Sequence, residues 1–493
     1  SLSYGKKIKL NNHFKTFGTM IDLSRGAVFT IAYLKEIIYK KALLGVNEIW
    51  LYLEDVYELK NVPYFGYLRG KYTEEELTEV IEYAKILGVT IVPCIQTLGH
   101  MEQYLKWAYN FEQQDQYDIL MPEADTTYEL IDKMLDFCKK VFKTTKIHVG
   151  LDETFGLGHG RYFKKNGFKE PHEIFLDHLE IVNKKCLAAG FDEVMIWSDM
   201  FFRLFSETEY YYDVNIIPDQ TILNRIPENV SLVYWDYYNH KADIVNKMLE
   251  NHKKMGRKVI MASGTWTWTR LTYDKKQTDR TALMHIDACV KQGIDEIIFT
   301  QWHDDGAYCD YDTSLMGIFD MANHALSQHK LPVSLYKQLR NETYKQALTR
   351  NEINHLSIDL QGLVWDDPLL GIFLNNEVGY DYKALESHIA NYETLLKKLN
   401  ASVLSHAKQL VKLGLLKLRS RYELLKAYQL HTDFKAVIDL QKSIKQQLNQ
   451  VLKSFNTMWH KRYKPFGLEV IQSRIGTQLL RCDETIYQVT QYM

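Results

Sequence analysis

Eight short runs of branched and aromatic apolar residues recur through the first three hundred positions: FGTMID (17–22), EIWLYLE (48–54), TIVPCIQ (90–96), KIHVGL (146–151), EVMIW (193–197), SLVYW (231–235), KVIMASG (258–264) and EIIFTQW (296–302). Each run is too short for a helix and too uniformly apolar for a strand with one wet face. Most of the gaps carry helical spacing, at 28–44, 73–88, 127–142, 171–189 and 279–292, and Thr73 with Glu76 three residues on reads as a capping box. Strands buried on both faces, each followed by a helix, pair in parallel under flanking helices. The expected fold class is therefore α/β, a (β/α)8 TIM barrel. A doubly wound open sheet is the alternative, and eight units favour closure.

Past residue 327 the texture changes to Lys, Leu and Gln without strand-like runs. Leu396, Leu399, Val403, Ala407 and Leu410 step as one helix face, and Val437, Leu440, Ile444, Leu448 and Val451 repeat that spacing. The chain is thus expected to divide into a catalytic barrel over 1–326 and an all-α C-terminal domain over 327–493, packed on the barrel or on a second subunit in a homodimer.

A net charge of −2, from 60 basic and 62 acidic residues, provides no field that recruits nucleic acid or an anionic membrane. No stretch approaches the roughly 20 apolar residues of a membrane span, and the start, SLSYGKKIKL, lacks the apolar core of a secretion signal. The six cysteines, with no C-x-x-C pair, read as free thiols in a reducing compartment, so the expectation is a cytoplasmic protein. The 33 tyrosines and 9 tryptophans exceed what a core needs and suit a neutral ligand with flat faces.

In barrels of this kind chemistry gathers at the C-terminal ends of the strands. Those ends supply Asp22 and Arg25; Glu54 and Asp55; Gln96 and His100; Asp152 and Glu153; Trp197 and Asp199; Trp235, Tyr237 and Tyr238; Trp266 and Trp268; and Trp302, His303, Asp304 and Asp305. Aromatic walls with converging polar groups suit a pyranose. Other chemistries lack their residues: HEIFLDH has Leu176 where a zinc-binding HExxH needs histidine, GLGHGR has Arg161 where GxGxxG needs glycine, and there is neither a P-loop nor a G-x-S-x-G elbow. A metal site from His100, His148, Asp152 and His303 has a spacing that names no known centre, and the expectation is no metal and no cofactor. The adjacent Asp152 and Glu153 do not suit a glycosidase whose two acids face each other across the scissile bond.

The sequence His148, Gly150, Leu151, Asp152, Glu153 resembles the H-x-G-G-D-E signature of glycoside hydrolase family 20, the β-N-acetylhexosaminidases, with Leu151 in place of the second glycine. DLSRG (22–26), QTLGH (96–100), the Trp197 region, YWDYY (234–238) and Trp302-His303-Asp304 follow in the family's order; the stretches at 54–77 and 157–162 look most like its cytosolic hexosaminidase D type. Asp304 stands where the secreted enzymes usually have glutamate.

The resemblance implies an exo-acting enzyme that removes terminal β-linked N-acetylglucosamine or N-acetylgalactosamine from a small oligosaccharide or glycoconjugate. It makes Glu153 the general acid, Asp152 the group that holds the substrate's acetamide, and Tyr237, rather than Tyr238, the donor to the acetamide oxygen. Trp197 and Trp266 would box the acetamide methyl, Trp302 would floor the ring, Arg25 and Asp304 would grip the non-reducing hydroxyls, and His100 and Trp235 would complete the pocket. The charge of Asp152 is expected to raise the pKa of Glu153. The competing readings are a non-catalytic sugar-binding barrel and a metal-dependent barrel hydrolase.

Overall fold

The computed structural model describes residues 12–207, 210–304, 306–327 and 330–491; the N-terminal SLSYGKKIKL and Asp305 lie outside them. The eight apolar runs form strands β1 (Thr16–Asp22), β2 (Glu48–Leu53), β3 (Thr90–Ile95), β4 (Lys146–His148), β5 (Glu193–Trp197), β6 (Val230–Trp235), β7 (Val259–Gly264) and β8 (Glu296–Gln301). They close in sequence order into one barrel. Every pairing is parallel, and β8 returns to β1 with Phe17 beside Ile297 and Thr19 beside Phe299. Both faces of nearly every strand residue are buried, as near-continuous apolar runs require. The helix Glu74–Ile86 starts at Thr73, whose hydroxyl and the Glu76 side chain satisfy each other's backbone N–H groups.

β4 is shorter than its apolar run because the chain turns out of the ladder at Gly150 (φ +78°) and Leu151 (φ +74°). A Cβ at Gly150 would lie 1.9 Å from Gln96 Oε1, so only glycine lets the neighbouring strand end come so close. Leu151 takes a left-handed backbone conformation that a second glycine would adopt without strain, and its side chain is fully buried.

After the helix Leu315–Ala325 every further element is helical, ending in three long helices, Ser405–Leu430, Lys435–Arg462 and Leu468–Gln491, that pack each on the next. The face read from Val437 to Val451 lies on one of them. The face read from Leu396 to Leu410 does not belong to a single helix: the helix Leu385–Lys398 ends there, Ser402–Leu404 makes a 3-10 turn, and a new helix begins at Ser405. Leu399, Ala407 and Leu410 are nevertheless buried, so burial kept the spacing while Asn400 and Ser402 interrupted the helix.

The helical region is fastened to the barrel by a buried ion network: Arg462 reaches Asp310 Oδ1 at 2.6 Å and Asp312 Oδ2 at 2.7 Å, and Arg340 reaches Asp312 Oδ2 at 3.0 Å. All six cysteines are buried and unpaired, and no described helix is long and apolar enough to cross a membrane.

Candidate active site

The turn at Gly150 and Leu151 delivers Asp152 and Glu153 to the C-terminal mouth of the barrel, with Glu153 itself at φ +50°. Asp152 is buried, and its Oδ1 accepts from Gln96 Nε2 at 3.0 Å. His100, also left-handed at φ +55°, brings Nε2 to 3.1 Å from Asp152 Oδ2 and 3.4 Å from Glu153 Oε2. Nε2 is poorly aligned for a hydrogen bond to either oxygen, so the attraction is chiefly one of charge. Burial opposes a charged imidazole, yet Asp152 and then Glu153 hold the His100 pKa well above its ordinary value.

Burial likewise opposes ionisation of Asp152, and the His100 charge outweighs it, keeping the carboxyl below its usual range. Glu153 corrects the expectation from sequence. Burial and the Asp152 charge push its pKa up, but contact with His100 and the Tyr211 O–H, which donates to Glu153 Oε1 at 2.7 Å, bring it below the usual value. The cost of adjacency falls instead on Asp199. Buried behind the pair, it accepts from the Glu153 N–H at 3.1 Å and from Trp235 Nε1 at 3.2 Å. Burial, with the charges of Asp152 and Glu153, pushes its pKa up to about 8.

Arg25, on the loop after β1, pairs with Asp304 Oδ1 at 2.5 Å and lies 3.7 Å from Glu54 Oε1, with its guanidinium 4.6 Å from the centre of the Trp302 ring. Asp22 shapes this loop, accepting from the Ser24, Arg25 and His303 N–H groups. Burial lifts Glu54 to about 7 despite Arg25 and Arg69. Trp302 Nε1 donates to the Tyr237 hydroxyl at 3.0 Å, and Trp235 stacks on Tyr237 with centroids 5.3 Å apart.

A small pocket of about 80 Å³ is lined by Asp152 and Glu153, by Trp197, Tyr237, Trp268 and Trp302, and by Arg25 and Asp304. Trp235 and Tyr238 also line it. Trp266 does not: it stacks behind Trp268, with centroids 4.1 Å apart, and Trp268 takes the place assigned to it from sequence. Sequence order could not separate two tryptophans one residue apart. The choice is made by Gly264, where a Cβ would lie 2.7 Å from the Trp268 ring. Tyr211 was also missed, since it sits in a loop after β5 with no periodic pattern to mark it.

The four residues weighed for a metal site do not form one cluster among the described residues. His148 packs against Trp50 and Trp197, its Nδ1 accepting from Gly150 N, and burial lowers its pKa to about 3. The His303 ring packs against Phe29 and Tyr311, at centroid distances of 5.8 and 5.2 Å. Among the described residues, His100, Asp152 and Glu153 are the group whose donor atoms lie close enough to hold a cation, within 4.8 Å of one another.

Residues 14–316 match the family model for glycosyl hydrolase family 20, catalytic domain, and residues 359–493 match the Glycoside Hydrolase 20C C-terminal domain. Hexosaminidase D of Bos taurus is 28% identical over 263 residues, covering 50% of this chain and 68% of that protein. Hexosaminidase D of Homo sapiens is 26% identical over 261 residues, covering half of each. The chitobiase structure of Flavobacterium johnsoniae shares the fold, with a TM-score of 0.51 and 16% identity over 91% of this chain and 78% of that one.

Proposed function

The chain belongs to glycoside hydrolase family 20 and carries that family's catalytic barrel, and we propose that it is an exo-acting β-N-acetylhexosaminidase that works by substrate-assisted, retaining hydrolysis. The observation that carries this reading is the position of Asp152 and Glu153 on one loop with donor atoms within 4.8 Å of each other and of His100, beside a small aromatic pocket. Acids adjacent in sequence on one loop, both beside the same imidazole, can serve neighbouring atoms of one sugar.

In this scheme the 2-acetamido oxygen of the substrate attacks C1, the bond to the leaving group breaks, and an oxazolinium ion forms. Glu153 protonates the departing oxygen and later takes a proton from the water that opens the ring. Asp152 accepts the acetamide N–H and offsets the positive charge developing there. The resting charges add a step: the imidazole of His100, held in its charged form 3.4 Å from Glu153 Oε2 but out of line with it, turns toward that oxygen and passes on the proton for the leaving group.

The Tyr237 hydroxyl, which accepts the Trp302 N–H, lines the pocket and would donate its O–H to the acetamide oxygen, while Trp197 and Trp268 enclose the methyl. Trp302 floors the ring, and Arg25 with Asp304 binds the non-reducing hydroxyls. The barrel over 1–326 performs this chemistry and the helical domain over 327–493 supports it. Six unpaired cysteines favour a cytoplasmic setting.

Paired assays test the mechanism. An aryl β-N-acetylglucosaminide and its galacto epimer should turn over, while the matching β-glucoside, lacking the internal nucleophile, should react at least about 10³-fold more slowly. Comparable rates on glucoside and acetamido sugar would sink the scheme. Glu153→Gln should lose about 10²- to 10⁴-fold on natural glycosides and much less on aryl glycosides with good leaving groups.

A further inference from the structure

The start of the last helix lies against the two loops that carry Arg25 and Asp304. Arg462 is held by Asp310 and Asp312, its carbonyl accepts from Thr30 N at 2.9 Å, and Lys464 N then donates to Val28 O at 2.7 Å. Lys464 Nζ reaches Glu76 Oε2 at 2.7 Å. Gly467 follows at φ +95°, where a Cβ would lie 2.0 Å from the Gly26 carbonyl oxygen. A Cβ on Gly306, two residues past Asp304, would lie 2.6 Å from Val470 Cγ1. Backbone thus meets backbone or side chain with no room for another carbon, and this fixes the helix Leu468–Gln491 over the sugar-binding loops.

That placement gives the helical region a wall in a second cavity. Beside the small pocket lies a cleft of about 610 Å³, with Glu153 and Arg25 belonging to both. Its lining includes Arg69 and Tyr117 from barrel loops and Glu469 and Arg474 from the last helix. The Glu469 side chain accepts from Gly467 N at 2.7 Å, and the Arg474 guanidinium lies 5.6 Å from the Tyr308 ring and 5.5 Å from Trp365. Charges of both signs beside aromatic surface suit a neutral, polyhydroxylated ligand rather than an anion.

We propose that Glu469 and Arg474 are specificity-determining residues that bind the sugar on the leaving-group side of the scissile bond, making the C-terminal helical region part of the substrate site. This inference rests on the reaction proposed above. The small pocket already carries the groups assigned to the acetamide, the ring face and the non-reducing hydroxyls, so a sugar joined through the oxygen that Glu153 protonates extends out of it into the cleft that Glu153 also lines. A neighbouring cavity of about 400 Å³, lined by Phe155, His159 and His172, does not include Glu153.

The test compares kcat/KM on a β-linked N-acetylhexosaminyl trisaccharide with kcat/KM on an aryl β-N-acetylhexosaminide. In Arg474→Ala and in Glu469→Gln the ratio of the two should fall at least tenfold, through KM on the trisaccharide. His172→Ala, in the neighbouring cavity, should leave the ratio at the parent value. If Arg474→Ala lowers the thermal midpoint, Arg474→Gln replaces it and is expected to give the same fall. A ratio within twofold of the parent in both cleft variants overturns the proposal, as does a fall confined to His172→Ala. A parent that cleaves neither substrate overturns the reaction itself, and the subsite with it.

Discussion

Replacing His100 with glutamine tests whether a protonated imidazole, rather than Asp152, sets the charge of Glu153. His100 Nε2 stands 3.1 Å from Asp152 and 3.4 Å from Glu153. At an effective dielectric near 20, an ion pair at such distances has a gross attraction of about 5 kcal/mol, and two carboxylates within 4.8 Å repel by about 3.5 kcal/mol. Without the imidazolium that repulsion stands alone, and it exceeds the ~1.4 kcal/mol that corresponds to a tenfold change in proton affinity. The pair in the variant therefore keeps a proton at pH values where both carboxylates of the parent are ionised. In the parent Asp152 and Glu153 hold the His100 pKa well above the ordinary imidazole range, and in the proposed scheme that imidazole stores the catalytic proton. In the variant it resides on a carboxyl and leaves at lower pH. The alkaline limb of kcat/KM for an aryl N-acetylhexosaminide should move to lower pH. The value at the optimum should fall about 10- to 100-fold, less than the full contribution of a general acid, because Glu153 remains. A pH profile that superimposes on the parent's, or an alkaline limb that moves upward, would refute the reasoning.

Three further outcomes follow from particular contacts. Trp268→Ala should lower kcat/KM by about 100-fold by loosening the acetamide, whereas Trp266→Ala, which removes a ring behind it, should cost about tenfold or less; equal losses would put both rings at the substrate. Leu151→Gly and Leu151→Ala both remove a buried side chain and should both lower the thermal midpoint, but glycine relieves the backbone at φ +74° and should be about 1 kcal/mol more stable than alanine. The reverse order in urea unfolding would contradict the strain. Arg462→Ala should cost about 3 kcal/mol by leaving Asp310 and Asp312 buried beside less positive charge. Both acids are held below the usual carboxyl range by Arg462 and Arg340, against the effect of burial. Their stabilising contribution is therefore present above the unfolded-state pKa and is lost as pH falls through the folded-state values. The difference in thermal midpoint between parent and variant should be largest near neutral pH and shrink in acid.

The barrel was legible because a parallel strand buried on both faces admits few residue types, and eight such runs leave few topologies open. The strand ends were legible for the same reason: once the strands are placed, Asp22, Asp152, Trp197 and Trp302 fall at the mouth whatever the loops do. Electrostatics were not. Whether Asp152 raises Glu153 depends on which third charge enters, and His100 enters from a loop after another strand, in a left-handed conformation that spacing does not encode. Nor could sequence choose between Trp266 and Trp268, because a loop lacks the period that assigns alternate residues to opposite faces of a strand.

The helical region shows the same limit from the other side. Its periodic faces announced helices and nothing more, because its ties to the catalytic loops are made by a few residues in the 462–474 segment, among them Gly467 against Gly26 and Val470 against Gly306. Close approaches of that kind are set by two distant backbones meeting, and neither local sequence records the other. A glycine three residues after a basic lysine reads as a loop until the Gly26 carbonyl is found 2.0 Å from where its Cβ would be. From that contact the helix that follows stands over Arg25 and Asp304. The adjacency of two acids marks the chemistry, and the contact of two glycines carries the argument that a second region of the chain meets the substrate.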